Sequence, residues 1–229
     1  MIRRLLHPIL ATVYNWYASI PHWYRYDGLR VKILPSVFHP AYFFSTQIML
    51  EYVLRFELRN KSVLELGAGS GLISLVAAKK GAKVTATDIN PEAISSIKLS
   101  LEKNQLELDV ILSDMLELVP IKNYDYIIIN PPYYPKLARN FREMAFFCGP
   151  NFEYFEKLFS QLSPYASDQN KVLMILSQDC KIDEISRIAS PYGYQLCEVH
   201  RAKKNGEVNF IFEIIREIDS STQTKTNPS

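Results

Sequence analysis

From residue 62 to residue 189 the sequence alternates short apolar runs with helical segments, and this alternation restricts the possible folds most. Strand-like runs occur at 63–66, 83–88, 110–112, 126–129 and 171–176. Helices are expected at 72–80, 91–104, 152–162 and 182–189. Strands that alternate with helices form a parallel sheet covered by helices on both faces. The uninterrupted apolar run at 126–129 predicts a strand that is buried on both faces.

Two hairpin signals flank this region. Asp27-Gly28 stands within a stretch of strand propensity at 24–33, and Asn205-Gly206 separates strand-like runs at 195–200 and 208–215. Both dipeptides favour two-residue hairpin turns, because these residues tolerate positive φ. The second hairpin is expected to add antiparallel strands at one edge of the sheet. Before the core, 37–40 is expected to be extended and 46–58 to be helical.

Both ends of the chain are expected to lie outside this core. An amphipathic helix is expected up to about residue 20, with Trp16, Tyr17 and Trp23 supplying buried area. Polar residues interrupt this stretch and no small-residue cleavage site follows it, which disfavours a signal peptide or a membrane span. Interfacial membrane contact is the alternative. We therefore divide the chain into an N-terminal helix and hairpin extension at 1–45, a candidate substrate-recognition element, a main domain at 46–218 and a polar tail at 219–229.

Composition excludes several classes of protein. The chain has 229 residues, of which 48% are hydrophobic and 22% are charged, as in ordinary soluble domains. A formal net charge of +2 is too small to indicate a nucleic acid partner by itself. The three cysteines are far apart and outside any CxxC pattern, which favours reduced thiols and a cytoplasmic location. The four histidines lack metal-ligand spacing, so no metal site is predicted.

A glycine-rich turn directly follows the first core strand and precedes a helix. Gly67, Gly69 and Gly71 let the backbone turn tightly and let a ligand approach closely, and the helix N-terminus offers N–H groups to an anion. Asp88, at the end of the second core strand, can accept hydrogen bonds from both hydroxyls of a ribose. Ligands bind beyond the carboxyl ends of parallel strands, so a nucleotide-type cofactor site is predicted there. A turn and a loop carboxylate without any ligand are the alternative.

The spacing of the glycines distinguishes two classes of cofactor enzyme. The dinucleotide fingerprint requires G-x-G-x-x-G. Counting from Gly67 puts Leu72 at its last position, and counting from Gly69 puts Ser74 there. A nicotinamide-dependent oxidoreductase is therefore the disfavoured alternative.

The fourth core strand ends in the segment Asn130-Pro131-Pro132-Tyr133. Two prolines fix φ and supply no N–H, so the neighbouring carbonyls stay free to accept hydrogen bonds, and the Asn130 amide oxygen is a further acceptor. Such acceptors suit a planar NH2 group, on which Tyr133 would stack. They would also stabilise the positive charge that grows on a nitrogen attacking a sulfonium methyl group. The alternative is a strand-ending turn without chemistry.

These segments resemble motifs I, II and IV of class I S-adenosylmethionine-dependent methyltransferases. The residues concerned are 65–71, Asp88 and 130–133, and the likeness is narrower to the HemK/PrmC and "methyltransferase small domain" group. The resemblance implies a Rossmann-like seven-stranded α/β sheet with a reversed terminal hairpin. It further implies S-adenosyl-L-methionine as cofactor and N-methylation of a protein glutamine or of an RNA or DNA base. A non-catalytic binding module of the same fold is the alternative, although the intact 130–133 segment disfavours it.

The resemblance also implies roles for individual residues. A catalytic role falls to Asn130, Pro131, Pro132 and Tyr133. Contact with the cofactor falls to Glu65, Gly67, Ala68, Gly69, Gly71, Asp88, Ile89, Asp114, Met115 and Asn130. Glu65 and the glycines would line the methionine portion, Asp88 would bind the ribose, and Ile89 would pack on the adenine. Asp114 would contact the adenine amine, and an ordinary helix N-cap is the alternative for this residue.

The substrate is less well defined by the sequence. The segment 37–41 resembles the V-[YF]-x-P-[AS] segment of glutamine methyltransferases, but Tyr42-Phe43 replaces the acidic pair that usually follows. Basic residues after the catalytic segment and in the terminal hairpin would contact phosphates of RNA or DNA if they share its face; a solvated surface is the alternative. These residues are Lys136, Arg139, Arg142, Arg201, Lys203 and Lys204. No stable membrane association is expected, and the oligomeric state is left open.

Overall fold

A computed structural model of the protein describes residues 20–41, 44–204 and 206–217. The strands in this part of the chain are β1 (His22–Tyr26), β2 (Leu29–Ile33), β3 (Ser62–Leu66), β4 (Lys83–Asp88), β5 (Asp109–Leu112), β6 (Tyr126–Ile129), β7 (Lys171–Ser177), β8 (Tyr194–Lys204) and β9 (Glu207–Arg216). The α-helices are α1 (Phe44–Val53), α2 (Leu72–Lys79), α3 (Pro91–Asn104), α4 (Phe141–Met144), α5 (Glu153–Leu162) and α6 (Ile182–Ala189). A 3-10 helix spans Ser190–Tyr192.

Seven strands form one sheet in the order β5-β4-β3-β6-β7-β9-β8. The pairs from β5 to β7 are parallel, whereas β9 is antiparallel to both β7 and β8. The chain builds outward from β3 to β5, then returns to add β6 and β7 on the other side of β3. The mostly parallel seven-stranded sheet with a C-terminal antiparallel hairpin is therefore confirmed, and the strand order reverses between β3 and β6.

Apolar side chains cover both faces of the central strands. Ile127 and Ile129 belong to one buried cluster with α5 and α6, and Ile128 belongs to a second cluster with α1 and α2. All three isoleucines are completely buried. The alternation follows from the strand geometry, in which successive side chains point to opposite faces. The prediction that 126–129 is buried on both faces is confirmed.

The predicted N-terminal hairpin is present as β1 and β2. Asp27 and Gly28 have φ of 46° and 75°, as a two-residue turn of this type requires. A side chain of α3 forms a hydrogen bond with the backbone of β2, because Asn104 Oδ1 accepts from Arg30 N at 2.9 Å. The expectation that Trp23 is buried is wrong, because its side chain is 41% exposed and lies beneath the Lys32 ammonium, 5.1 Å from its ring centroid.

The structure corrects several predicted boundaries. Helix α1 ends at Val53 rather than at residue 58. Beyond its end, the ring of Phe56 stacks on that of Tyr126, with the ring centroids 5.2 Å apart. The segment 37–40, expected to be extended, forms no strand, and Val37 N closes a turn on Leu34 O at its start. Asp114 caps no helix, because the residues that follow it, 115–118, form turns. Helix α4 and the 3-10 helix were not predicted.

Some predictions fall on residues outside the described part of the chain. These are the N-terminal helix up to residue 19, the Tyr42-Phe43 departure, Asn205 of the terminal turn and the polar tail at 219–229. Within 20–41, 44–204 and 206–217, no helix has the length and apolar character that crossing a bilayer requires.

Candidate functional site

The glycine turn and the Asn130 segment leave neighbouring strands at the same edge of the sheet. Leu66 of β3 and Ile129 of β6 are paired in register, so the two loops begin side by side. Both loops line a cavity of about 520 Å³. The predicted cofactor and catalytic loops therefore share one site, at the point where the strand order reverses.

Left-handed backbone at three glycines shapes the first loop. Gly67, Gly69 and Gly71 have φ of 69°, 54° and 73°, a region that side chains rarely adopt. A Cβ on Gly71 would lie 2.6 Å from Ile97 Cγ1, so close packing of the turn against α3 also requires glycine there. Gly67, Ala68 and Gly69 line the cavity, whereas Gly71 lies outside the lining.

Asp88 holds the glycine turn in place from the end of β4. Its Oδ2 accepts from Gly69 N and its Oδ1 accepts from Asn90 N, each at 2.8 Å. Burial raises the pKa of this carboxyl, and the backbone donors oppose that shift. Ile89 N is a third backbone donor to this carboxylate, which has about four lone-pair sites, so one acceptor site remains for a ligand. Asp88 thus has a structural role in the turn, and ribose binding through its remaining acceptor site stays a prediction.

Glu65 is buried in the floor of the cavity, with 5% of its surface exposed. Its Oε2 accepts from Ser74 N at 2.8 Å and from the Ser74 hydroxyl, which ties it to the first turn of α2. Burial raises the pKa of Glu65 to about 7, although the Ser74 hydrogen bonds favour ionisation. The group therefore changes charge near neutral pH, and a cation bound beside it would favour the ionised form.

The far side of the cavity contains the residues expected near an adenine. Ile89, Asp114 and Met115 all line it. Asp114 forms an ion pair of 2.6 Å with Lys157 of α5. Burial, followed by the nearby carboxylates Asp88 and Asp114, raises the pKa of the Tyr154 phenol, which also lines the cavity. Tyr154 and Lys157 lie within a predicted helix, and no pattern in the sequence identified them as site residues.

The Asn130 amide is held by a hydroxyl from α1. Its Nδ2 donates to Thr46 Oγ1 at 3.2 Å, which leaves Oδ1 as an acceptor. Pro131, Pro132 and Tyr133 line the cavity together with Asn130. Thr46 was also missed by sequence analysis, because it belongs to a segment that carries no recognisable motif.

A second backbone segment supports the Asn130 loop. Tyr134 N donates to Phe146 O and Cys148 N donates to Tyr134 O, both at 3.0 Å. The rings of Phe146 and Phe38 are 5.7 Å apart, so this segment also contacts the chain before α1. Residues 134–149 thereby form a wall of the cavity that the sequence did not predict.

Tyr133 and Tyr134 have different environments. Burial raises the pKa of the Tyr133 phenol well above its ordinary value, and its ring packs against the buried cluster of α5 and α6. Tyr134 is 39% exposed, with its ring centroid 4.8 Å from that of Tyr133. A planar acceptor in the cavity would meet the neutral, fixed ring of Tyr133.

No group of three or more metal-binding side chains occurs in the described ranges. The cysteines in these ranges are free thiols, and burial raises the pKa of Cys148 to about 11 and that of Cys180 to about 12. These thiols are therefore protonated at neutral pH and are poor nucleophiles.

Comparison with solved structures shows the same fold. A Pyrococcus furiosus methyltransferase has a TM-score of 0.59 at 21% identity, covering 91% of this chain and 98% of that one. The T. thermophilus 16S rRNA N2 methyltransferase in complex with AdoMet and guanosine has a TM-score of 0.58 at 19% identity, covering 85% and 50%. An E. cuniculi complex that methylates the eRF1 termination factor has a TM-score of 0.61 at 20% identity, covering 80% and 99%.

Sequence relatives are named for two kinds of acceptor. A Methanocaldococcus jannaschii protein, provisionally named protein N5-glutamine methyltransferase, is 39% identical over 110 residues, 48% of this chain and 53% of that protein. The ribosomal RNA small subunit methyltransferase C of Proteus mirabilis is 34% identical over 148 residues, 60% of this chain and 40% of that protein. The chain thus spans about half the length or less of these relatives.

A family model covers both loops of the site. The match runs from residue 28 to residue 148 and includes the glycine turn, Asp88 and the Asn130 segment. The chain therefore belongs to the methyltransferase small domain family.

Proposed function

We propose that this protein is an S-adenosyl-L-methionine-dependent N-methyltransferase acting on a planar amide or exocyclic amino nitrogen of a macromolecule. One observation carries the proposal. The glycine turn and the Asn130 loop follow paired residues of adjacent strands and line one cavity. A methyl donor held by the first loop would face a nitrogen held by the second, and such positioning supplies a large part of the rate enhancement of group transfer.

The cavity fits the cofactor in size and in chemistry. Its volume of about 520 Å³ is in the range of small-molecule sites. Asp88 keeps an acceptor site for a ribose hydroxyl, and Glu65 would face the cationic methionine portion. A Cβ built on Gly67 would meet no atom within 4 Å, so there is open space beside this backbone. When bound, S-adenosylmethionine would supply the methyl group. Its sulfonium sulfur would keep the electron pair of the broken C–S bond and leave as a neutral thioether.

The Asn130 loop would contribute by orientation and charge stabilisation. Asn130 Oδ1 and a backbone carbonyl beside the prolines accept hydrogen bonds from the acceptor NH2, which aims the nitrogen lone pair at the methyl carbon. These acceptors also stabilise the positive charge that grows on the nitrogen as the N–C bond forms. The nitrogen then loses one proton to water, so the methyl-transfer step needs no strong general base.

Charges around the cavity favour a polypeptide amide over a nucleic acid base. Asp179 and Glu207 line the cavity and lie close enough to Tyr134 to raise its pKa, after the larger effect of burial. Negative charges at this position repel phosphates. Two of the candidate phosphate contacts are engaged elsewhere, since Arg201 pairs with Glu198 at 2.8 Å and Lys204 lies 3.6 Å from Glu51.

Two experiments test the proposal. Calorimetric titration should detect binding of S-adenosylhomocysteine and no binding of NADH; the reverse result would identify an oxidoreductase. Labelled methyl transfer is then measured in a cell extract that lacks the protein, with separate protease and nuclease digestion of the product. Label that is lost only to protease supports the polypeptide acceptor, and label that is lost to nuclease excludes that acceptor. Cofactor binding without transfer to either fraction would favour a non-catalytic module.

A further inference from the structure

We infer that Thr46 is a positioning residue that fixes the orientation of the Asn130 amide for methyl transfer. The inference rests on the proposed function. Thr46 lies on α1, outside both loops of the site, and its hydroxyl accepts from Asn130 Nδ2 at 3.2 Å. The residue is 6% exposed, and it lines the same cavity as the catalytic loop.

The orientation of this amide decides what Asn130 can do. An amide side chain has an accepting end and a donating end, and rotation by about 180° exchanges them. With Nδ2 directed to Thr46, Oδ1 is available to the acceptor NH2. The reversed amide would direct its own N–H groups at that NH2 and would repel it. A hydroxyl can donate as well as accept, so the Thr46 hydroxyl selects this orientation by acting as the acceptor of Asn130 Nδ2; one neutral hydrogen bond in that sense changes the population by roughly three- to tenfold.

Helix α1 holds the Thr46 hydroxyl in a fixed position. Ile48, Met49, Leu50 and Val53 are almost completely buried in the core, so the helix cannot shift without disturbing packing. Lys204, near the tip of the terminal hairpin, donates to Gln47 Oε1 at 2.8 Å. The hydrogen bond to Asn130 therefore connects a rigid helix to the catalytic loop across 84 residues of sequence.

A spectroscopic test needs no knowledge of the methyl acceptor. The Asn130 side-chain NH2 resonances are recorded by 15N NMR and assigned by their absence in Asn130→Ala. In the wild type one amide proton should show the downfield shift of a hydrogen bond. Thr46→Val, which has nearly the same shape, should lose that shift, and Thr46→Ser should keep it. An Asn130 signal that is unchanged in Thr46→Val overturns the inference.

A kinetic test uses the labelled-transfer assay with the acceptor fraction from the extract. Thr46→Val should lower the initial rate roughly three- to tenfold, with S-adenosylhomocysteine affinity within about twofold of wild type and Thr46→Ser restoring the rate. Thr85→Val is the matched control, because Thr85 is a buried threonine of β4 outside the cavity lining. A Thr46→Ser variant as slow as Thr46→Val would indicate a packing role and overturn the inference.

A double-mutant cycle separates this inference from the proposed function. If Thr46 acts through Asn130, the double variant Thr46→Val/Asn130→Ala should have the same rate as Asn130→Ala alone. Independent losses that multiply would overturn the inference. Full activity in Asn130→Ala would instead remove the catalytic role assigned to Asn130, whereas the NMR result would still decide whether Thr46 orients its amide.

Discussion

At the scale of single residues, Glu65 shows how burial tunes a charge for binding. Glu65 is 5% exposed, and within the described ranges its carboxylate accepts from Ser74 alone, so desolvation outweighs the hydrogen bonds and raises its pKa to about 7. Because the folded pKa is above the ordinary value of 4.5, its contribution to folding stability is complete below about pH 4.5. That contribution is lost as the pH rises through about 7.

We therefore expect cofactor affinity to depend on pH through Glu65. Between pH 6 and pH 8 the carboxyl ionises, and S-adenosylhomocysteine, through the ammonium group of its homocysteine portion, should bind up to about tenfold more tightly, the equivalent of one pKa unit. Glu65→Gln should remove this dependence while keeping a similar shape. Calorimetric titration at several pH values measures both proteins, and a wild-type affinity that stays flat from pH 6 to pH 8 would refute the role of Glu65.

Asn130 is expected to affect turnover and not binding. Asn130→Ala removes an acceptor directed at the reacting nitrogen, so the rate should fall by about a hundredfold, as for other preorganised transition-state contacts. Affinity for S-adenosylhomocysteine should change little. Labelled transfer and calorimetry provide the two measurements, and wild-type turnover in the variant would contradict the mechanism.

At the scale of secondary structure elements, the glycine turn joins β3, α2 and α3. Gly71 is the N-cap of α2 with φ of 73°, and its Cα faces Ile97 of α3. The turn must therefore satisfy a backbone requirement and a packing requirement at one residue. Gly193 shares the positive φ, at 75°, but a Cβ there would meet no atom within 4 Å.

A comparison of alanine substitutions at Gly71 and Gly193 separates backbone strain from steric overlap. Gly193→Ala should lower the free energy of unfolding by about 1–2 kcal/mol, the cost of left-handed backbone for a residue with Cβ. Gly71→Ala should cost about 2–4 kcal/mol, because overlap with Ile97 adds to that strain. Urea denaturation measures both values. Equal losses in the two variants would show that contact with α3 does not constrain the turn.

A pair of histidines connects the N-terminal hairpin to the segment before α1. Ala41 N donates to His39 Nδ1 at 3.1 Å, so in the neutral ring the proton is on Nε2. That Nε2 donates to His22 Nε2 at 2.9 Å, and His22 Nδ1 donates to Ile20 O at 2.8 Å. Burial and His22 lower the pKa of His39 to about 4.

Acid should therefore weaken this connection. Unfolded His39 takes up a proton near pH 6.5, but folded His39 resists protonation until about pH 4, so its contribution to stability falls as the pH decreases across that interval. His39→Gln should be less stable than wild type at pH 7, and the difference should shrink by up to about 2 kcal/mol by pH 5. Urea denaturation at each pH measures the difference, and a constant gap would exclude this titration.

At the scale of the whole molecule, the reversal of strand order creates the cavity. Strands β4 and β5 extend the sheet to one side of β3, and β6 and β7 extend it to the other. The loops after β3 and β6 therefore diverge and leave a crevice between them. Residues 134–149 and the chain before α1 then close its sides.

A ligand bound in this crevice should stabilise the entire domain. S-adenosylhomocysteine at about 100 times its Kd should add about 2.7 kcal/mol to the free energy of unfolding, which thermal denaturation would record as a rise in Tm. NADH at equal concentration should leave Tm unchanged. A rise with NADH and none with S-adenosylhomocysteine would assign the crevice to the other class of cofactor.

Local patterns were sufficient for most of the sheet. Strands β4 and β6 and helices α3 and α6 have the predicted bounds, because their apolar patterns are local in the sequence and Asn90-Pro91 also marks the start of α3. Helix α4 was missed, since it has four residues and none of them is buried. The early end of α1 was also missed, because the contact of Phe56 with Tyr126 depends on a strand 70 residues away.

The residues of the candidate site also fall into those that the sequence identified and those that only the structure identified. The sequence alone located the glycine turn, Asp88 and the Asn130 segment, because glycine, proline and a carboxylate at strand ends have strong local meaning. Thr46 and Tyr154 reach the cavity through the packing of α1 and α5 against the sheet, and the wall at 134–149 is closed by its own backbone hydrogen bonds. Contacts between distant segments leave no periodic pattern in a single sequence, so only the tertiary structure could identify the residues that orient and enclose the reacting groups.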